Sequence, residues 1–187
     1  IRERVDCRGR VLEALEDESL SPILNHLAAE GVESIAICLL FSYANPSHEA
    51  RILHRALQLG IPVSASHRIL PEYREYERCT TTVVNAYVSP LMDRYLGRLE
   101  GEVGKERLRI MQSNGGSISA ATARQEAVRT ILSGPAGGVV GATSIAREAG
   151  FVKVITFDMG GTSTDVSLVD GELGITTEAV IGEIGRA

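Results

Sequence analysis

The sequence predicts an α/β fold in which short strands alternate with helices. Three observations support this prediction. The N-terminal third alternates helix and strand patterns, the middle carries the periodicity of a long helix, and the C-terminal part is rich in strand signals separated by glycine turns. Helices and strands that alternate at this spacing favour parallel pairing, because a crossover helix commonly joins parallel neighbours. The 187 residues are 44% hydrophobic and 23% charged, as in ordinary globular proteins.

The first helix is predicted to begin at Ser21 and Pro22. Serine is a favourable N-cap, and proline is well suited to the first helical position. Gly31 then ends the helix, because glycine readily takes the left-handed backbone conformation found there. The apolar run Ile35–Phe41 follows. Such a run predicts a strand that is buried on both faces.

A second helix is predicted from Asn45 to Gly60, and a strand over residues 62–66. The three histidines of this third, His26, His48 and His54, are expected at the surface. A long helix follows, with Pro90 removing one of its backbone hydrogen bonds. Its apolar positions recur in pairs every four residues and predict one continuous apolar face: Val83, Val84, Tyr87, Val88, Leu91, Met92, Tyr95, Leu96 and Leu99.

A strand over 108–112 and an Asn-Gly-Gly turn over 114–116 come next, and Ser119 is expected to cap a short helix. Residues 133–150 predict another helix, capped by its first serine or glycine and unusually rich in glycine and alanine. Glycine costs a helix roughly 1 kcal/mol relative to alanine. Close approach of another backbone usually accounts for such glycines, and tight core packing alone is the simplest interpretation.

Residues 155–169 read ITFDMGGTSTDVSLV, which predicts a strand, a glycine turn and a second strand. Gly160 and Gly161 tolerate positive φ and allow backbone N–H groups to approach an anion. Asp158 and Asp165 bracket the turn and would repel a bare phosphate, so they favour a bound cation such as Mg²⁺. The alternative is a purely structural Gly-Gly hairpin. A third strand is expected over 174–180.

Composition excludes several classes of partner. A net charge of −5, no basic block and 4% aromatic residues argue against nucleic acid. No apolar run reaches the roughly 18–20 residues that span a bilayer. The three scattered cysteines, Cys7, Cys38 and Cys79, fit a reducing cytoplasm better than a disulfide framework.

Four segments together resemble the hydantoinase A and 5-oxoprolinase family of actin-like ATPases. They occur in family order as EYREYERCTTTVVNAYVSPLMDRYL (72–96), IMQSNGG (110–116), LSGPAGGVVGA (132–142) and FDMGGTSTDVSLV (157–169). The resemblance implies part of an actin-like ATPase (ribonuclease H-like) fold. Residues 1–75 would end the family's N-terminal region, 76–150 would include the helix that links the two lobes, and 151–187 would open the second lobe. The chain is therefore expected to be an internal piece of a longer protein.

Carried over to this sequence, the resemblance makes the hairpin the phosphate loop of the second lobe. Gly160, Gly161, Thr162 and Thr164 would then bind the phosphates of ATP, while Asp158 and Asp165 would organise Mg²⁺ and act in catalysis. The turn at 112–116 would be a strand-end turn facing the cleft, or an ordinary Asn-Gly turn.

The resemblance implies an enzyme that opens a cyclic amide, such as a hydantoin or 5-oxoproline, with hydrolysis of ATP. A second hydantoinase-type subunit or domain is an expected partner. This chain alone is expected to be inactive and to self-associate through strands that lack their covering helices. The alternatives are another actin-like ATPase, whether a kinase, a carboxylase-type relative or a chaperone-like protein, and a non-catalytic α/β domain.

Overall fold

The computed structural model describes residues 1–161 and 163–174, with the backbone of 180–181 and 184–186. The chain divides into two compact units, Ile1–Tyr95 with Ala179–Ala187, and Leu96–Glu178. Within the described part, no helix combines the length and the apolar character needed to cross a membrane.

The first unit is a small α/β arrangement. Strands Ile35–Ile37 (β3) and Val63–Ala65 (β4) pair in parallel, with Ile35 opposite Val63. The predicted parallel pairing is therefore confirmed. The other elements of this unit are strands Arg4–Val5 (β1) and Val11–Glu13 (β2), which form an antiparallel pair; helices Asp17–Ala29 (α1), Ser47–Ala56 (α2) and Ser66–Ile69 (α3); the 3-10 turn Leu57–Leu59; and the helix Glu75–Val103 (α4), which continues into the second unit.

The core of the first unit lies where α1 and α2 pack on β3 and β4. Helix α2 points Ile52, Leu53 and Ala56 inward, and all three are buried. Leu57 shares their apolar periodicity, but it is half exposed. The remaining members of the buried cluster are Leu15, Leu20, Leu24, Ile37 and Ala65.

The predicted start of the first helix is wrong. Helix α1 begins at Asp17, with Glu16 as N-cap, so Pro22 lies inside it. Asp17 and Glu18 favour the earlier start, because acidic side chains in the first turn complement the helix dipole. The predicted end is confirmed: Gly31 has a φ of +66° and donates its N–H to the carbonyl of Ala28.

The predicted strand 35–41 is shorter than expected, because its second half leaves the sheet after Ile37. The backbone N–H of Leu39 donates to Oε1 of Glu49 at 2.7 Å, and Phe41 takes a φ of +59°. Glu49 is completely buried, and its carboxylate also accepts bonds from the Ser66 hydroxyl and from the backbone N–H and Nδ1 of His67. A buried carboxylate needs such partners, and here they draw the chain out of the strand.

The surface expectation for the histidines is confirmed for His26 and His54 and wrong for His48. His48 is buried, and its Nδ1 pairs with Oε2 of Glu3 at 2.6 Å. The carboxylate of Glu3, 45 residues away in the sequence, therefore allows the His48 imidazole to be buried. The residues around His48 could not indicate this partner.

Helix α4 buries a side that is rotated away from the predicted apolar face, and the two sides share the fully buried Leu96. Its buried positions are largely polar, and several members of the predicted apolar face are exposed, with Tyr87 at 84%. The Nδ2 of the fully buried Asn85 donates to the Ser64 hydroxyl at 2.8 Å, so tertiary hydrogen bonds orient the helix. The buried positions are Arg78, Thr81, Thr82, Asn85, Ala86, Ser89 and Leu96, and the exposed stripe is Tyr76, Val83, Tyr87, Leu91 and Tyr95.

The second unit combines two antiparallel hairpins with short and long helices. Its elements are strands Arg109–Met111 (β5) and Ser117–Ser119 (β6), helix Ala120–Gln125 (α5), the 3-10 turn Ala127–Thr130, helix Ser133–Glu148 (α6), and strands Lys153–Met159 (β7) and Thr164–Asp170 (β8). The predicted cap is confirmed, because the Ser119 hydroxyl accepts from the Thr122 N–H at 3.1 Å.

Two expectations near the end of the chain have different outcomes. The N-cap of α6 is Leu132, with a φ of +60°, rather than the serine or glycine that follows it. The third strand expected over 174–180 lies largely outside the described residues. Strands Val180–Ile181 (β9) and Ile184–Arg186 (β10) form an antiparallel pair.

Candidate functional site

The candidate site is built on the hairpin of β7 and β8. The two strands pair antiparallel along their whole length, from Lys153 opposite Asp170 to Met159 opposite Thr164. Asp158 lies directly opposite Asp165 in this register. The predicted strand, glycine turn and second strand are therefore confirmed, with the two aspartates on either side of the turn. Side chains directly opposite each other share one face of a sheet, so both carboxylates project to the same side.

The two faces of the hairpin have different surroundings. The face that carries the aspartates packs against α6 and includes Thr156, Ser167 and the buried Val169. The other face is apolar and exposed. Its large side chains are between 57% and 76% exposed: Ile155, Phe157, Met159, Val166 and Leu168. The candidate chemistry and the bare apolar surface thus lie on opposite sides of the same two strands.

A cavity of about 480 Å³ lies between α6 and the hairpin. Pro135 and Gly138 line it from the first turns of the helix, and Asp158 and Asp165 line it from the strands. A volume of this size is within the usual range for small-molecule sites. The helix contributes the positive end of its dipole here, which favours a negatively charged group. The other lining residues are Val139, Ala142, Val154, Thr156 and Ser167, and Ile155 and Phe157 also border the cavity although strand alternation directs their side chains to the other face.

The two carboxylates are exposed. Among the described residues, neither Asp158 nor Asp165 forms a hydrogen bond or a salt bridge. At the far end of the same hairpin, Lys153 Nζ lies 3.1 Å from Asp170 Oδ2, an opposite-charge pair. Like charges directly opposite each other destabilise a sheet, whereas opposite charges stabilise it. The pairing of Asp158 with Asp165 is therefore unfavourable within the hairpin, and its stabilisation has to come from a group outside the two strands.

The donor set fits a magnesium ion that would complete its shell with water and phosphate oxygens. Mg²⁺ in nucleotide sites takes one or two carboxylates and keeps several waters. The hairpin offers Asp158 and Asp165, and no cluster of three or more His, Cys, Asp or Glu side chains occurs elsewhere in the described part of the chain. The two-carboxylate arrangement is thus suited to a metal held jointly with a ligand, and poorly suited to a metal held by protein alone.

The turn itself differs from the expected geometry. Neither Gly160 nor Gly161 has a left-handed φ, and the N–H of Gly160 closes the turn by donating to the Ser163 carbonyl at 3.0 Å. The N–H of Gly161 has no acceptor among the described residues, and a Cβ there would meet nothing within 4 Å. Access to the backbone, rather than positive φ, is what these glycines provide. Thr164 is exposed at the start of β8, and Thr162 lies outside the described residues.

Two glycines of α6 face side chains, and among the described residues none of the helix's glycines faces a second backbone within 4 Å. A Cβ on Gly137 would lie 3.5 Å from Cε of Met111, and one on Gly138 would lie 3.3 Å from Oδ2 of Asp158. Gly134 and Gly141 have nothing within 4 Å. The expectation of close backbone approach is therefore wrong. The sequence showed an excess of small residues, but it could not show which of them faces the aspartate.

The Asn-Gly-Gly turn packs on the same helix farther along. Gly115 has a φ of +82°, and a Cβ there would lie 2.8 Å from Cγ2 of Val140. Gln112 is buried, and its Oε1 has no hydrogen-bond partner among the described residues. None of the turn residues lines the cavity beside Asp158.

Comparison with known protein families gives two matches. The family described as hydantoinase/oxoprolinase matches residues 78–185, and the hydantoinase/oxoprolinase N-terminal region matches residues 1–60.

Individual relatives include enzymes with different reactions. The chain is 37% identical to the caprolactamase subunit alpha of Pseudomonas jessenii over 90% of its length, and 39% identical to 5-oxoprolinase 1 of Arabidopsis thaliana over 87%. It is 34% identical to the acetone carboxylase beta subunit of Xanthobacter autotrophicus over 94% of its length. The chain spans 25%, 13% and 26% of these three relatives, respectively.

Two solved structures share its fold. Nucleotide-free acetone carboxylase superposes with a TM-score of 0.76 at 34% identity, covering 92% of this chain and 26% of that one. The ATP-dependent caprolactamase from Pseudomonas jessenii also gives 0.76, at 37% identity, covering 89% of this chain and 25% of that one. The mixed α/β architecture is thus shared with the matching part of both proteins.

Proposed function

The chain belongs to the hydantoinase/oxoprolinase family, and we propose that it is part of an ATP-dependent enzyme that opens a cyclic amide. The observation that carries the proposal is the pair Asp158 and Asp165, which have no ion-pair partner among the described residues and lie directly opposite each other beside a cavity at the start of α6. Relatives named as 5-oxoprolinase and caprolactamase support the choice of substrate class.

In this proposal the glycine turn holds phosphate. Gly161 leaves its N–H open to a ligand, and Thr162 and Thr164 are the residues that would add hydroxyl donors. Gly160 acts indirectly, because its own N–H is used to close the turn. Exposed N–H groups and hydroxyls in a concave turn form an anion site without any basic side chain.

Asp158 and Asp165 would hold Mg²⁺ and its waters at the mouth of the cavity. ATP, when bound, would supply a phosphoryl group to the ring carbonyl oxygen, which would make the carbonyl carbon susceptible to attack by water, with ADP and then phosphate as the leaving groups. The protein's contribution would be to position the phosphates and to stabilise the charge that develops during transfer. This chain alone is expected to turn over no ATP, because such catalysis needs a site enclosed from water.

Carboxylation is the second candidate reaction. It is favoured by the 34% identity to an acetone carboxylase subunit and by the shared fold with nucleotide-free acetone carboxylase. Both reactions would use the same phosphate and cation contacts, so the hairpin does not distinguish them. The caprolactamase and acetone carboxylase relatives are named as subunits, and we propose that this protein also works with a partner subunit.

The experiment measures ATP hydrolysis by the full-length protein, with its partner subunit, in the presence of candidate substrates. We expect hydantoins, 5-oxoproline or larger lactams to stimulate ATP turnover, and ketones with bicarbonate to have no effect. Asp158→Asn should lower the stimulated rate by roughly 10²–10³, as does the loss of one electrostatic contact to a transferring group. Glu172→Ala, an exposed change beyond the hairpin, serves as the control.

Three results would decide against parts of the proposal. Stimulation by ketones and bicarbonate alone would favour carboxylation. ATP turnover that no ring amide or ketone alters would favour a different actin-like ATPase. Wild-type turnover and magnesium dependence in Asp158→Asn would make the hairpin structural.

A further inference from the structure

One glycine of α6 lies against the candidate metal ligand. An ideal Cβ built on Gly138 would lie 3.3 Å from Oδ2 and 3.8 Å from Cγ of Asp158. The 3.3 Å contact is tighter than nine in ten that real Cβ atoms make, so the carboxylate would have to move by a few tenths of an ångström. The space beside Gly138 is therefore occupied by the functional end of the aspartate.

The other glycines of the same helix show that this contact is specific. Gly134 and Gly141 have open space where a Cβ would be, and Gly137 faces a methionine side chain. Glycine inside a helix costs roughly 1 kcal/mol relative to alanine, so each one weakens α6. Among these four glycines, Gly138 is the one whose missing side chain leaves room for a charged group of the hairpin in the described part of the chain.

We propose that Gly138 is a positioning residue for the Asp158 carboxylate, an inference that rests on the proposed role of Asp158 in binding a divalent cation. Because residue 138 has no side chain, the Asp158 carboxylate can lie against α6. It does so on the face of the hairpin that also carries Asp165. A methyl group there pushes Oδ2 away from the helix and covers part of the carboxylate that would face water or metal.

A small displacement is enough to matter at a metal site. Mg²⁺ requires nearly ideal octahedral geometry at short distances, and ligand groups work only when they are held within about 0.5 Å of the productive position. We therefore expect Gly138→Ala to weaken divalent-cation binding by roughly tenfold, less than the complete loss of the carboxylate would. Folding should not suffer, because alanine is the better helix former.

The test compares Gly138→Ala with Gly141→Ala in the full-length protein. Gly141 lies one turn farther along α6 and is also exposed, and a Cβ built on it would meet nothing within 4 Å. Mn²⁺ is titrated by electron paramagnetic resonance into protein holding a non-hydrolysable ATP analogue, and thermal unfolding is measured without ligand. Both variants should unfold at or above the wild-type temperature, and only Gly138→Ala should bind Mn²⁺ more weakly.

A double-mutant cycle with Asp158→Asn identifies the route of the effect. If Gly138 acts through the carboxylate, Gly138→Ala has little further effect on Mn²⁺ affinity once Asp158 is asparagine. Equal Mn²⁺ affinity in the two alanine variants, with a loss in Asp158→Asn, would overturn the positioning role and leave the proposed site intact. Unchanged affinity in Asp158→Asn would overturn both. Additive losses in the double variant would also contradict a role through Asp158.

Discussion

At the scale of single residues, Gly161 gives the sharpest test of the phosphate-binding turn. Its φ is not left-handed and its surroundings are open, so valine fits there without backbone strain or clash. We expect Gly161→Val to leave folding stability within about 0.5 kcal/mol, as surface substitutions usually do. Nucleotide affinity should fall, because a branched side chain blocks approach to the N–H groups. Isothermal titration with ATP and Mg²⁺ measures this, and unchanged affinity would contradict phosphate binding at the turn.

Asp6 gives a pH-dependent prediction. Its carboxylate accepts the backbone N–H groups of Arg10 and Arg8 and the side chain of Arg10 in the turn between β1 and β2. The backbone N–H of Arg10 is the largest of the influences that lower the pKa of Asp6 below its usual value. A lowered folded-state pKa stabilises the fold above the unfolded-state pKa, and this contribution disappears as pH falls through the folded-state value.

Asp6→Asn should therefore reduce stability at about pH 7 and have a smaller effect at about pH 3, where the unfolded carboxyl is mostly protonated. Urea denaturation midpoints of wild type and variant at the two pH values provide the measurement. A difference that grows as pH falls would show that the charge of Asp6 does not stabilise the turn.

At the scale of elements, α4 shows why a correct helix can be oriented wrongly from sequence. Periodicity identified the helix itself, but the buried side was decided by hydrogen bonds to distant groups. Arg78 is fully buried and donates to the carbonyl of Leu39, while Asn85 donates to the Ser64 hydroxyl on β4. These partners come from other parts of the chain, so no local pattern contains them. The β7–β8 hairpin was predictable because its partners are neighbours in sequence.

The orientation of α4 leads to a direct stability prediction. Asn85→Leu should destabilise the chain by about 2 kcal/mol, because it leaves the buried Ser64 hydroxyl without its amide partner. Tyr87→Ser, at a position that is 84% exposed, should change stability by about 0.5 kcal/mol or less. Chemical denaturation of both variants tests the contrast. A larger loss for Tyr87→Ser than for Asn85→Leu would mean that the apolar stripe is the buried side.

The candidate site shows the same division between local and distant information. Asp158 and Asp165 could be paired from sequence, because a short glycine turn fixes which residues face each other. The contact between Gly138 and Asp158 could not, since it depends on how α6 crosses the hairpin. The sequence showed that α6 is rich in small residues. It could not show which group of the fold lies beside each of its glycines.

At the scale of the whole molecule, the apolar face of the hairpin predicts self-association. Five large side chains on one side of β7 and β8 are more than half exposed, a contiguous patch of the kind that marks an interaction surface. We expect this chain to form dimers or larger species at micromolar concentrations, measured by sedimentation velocity. Phe157→Glu should shift it toward monomer by introducing a charge at the centre of the patch.

The control for this prediction is Glu172→Lys, which changes an exposed charge outside the patch. It should associate like the wild type. A wild-type chain that stays monomeric and binds no hydrophobic dye would contradict the prediction. Equal association of Phe157→Glu and wild type would mean that another surface, such as the exposed stripe of α4, mediates it.

The local pairing of β7 with β8 also bears on the order of folding. Hairpins whose strands are joined by a short turn form in roughly 1–10 μs, before contacts between distant parts of a chain are made. Asp158 and Asp165 would therefore meet early, and α6, which precedes the hairpin in sequence, can pack on their face without waiting for later residues. The opposite face would stay unprotected through these first steps. During synthesis the same two strands would thus assemble the aspartate pair on one face and, until it is covered, present an apolar face that is prone to misassociation.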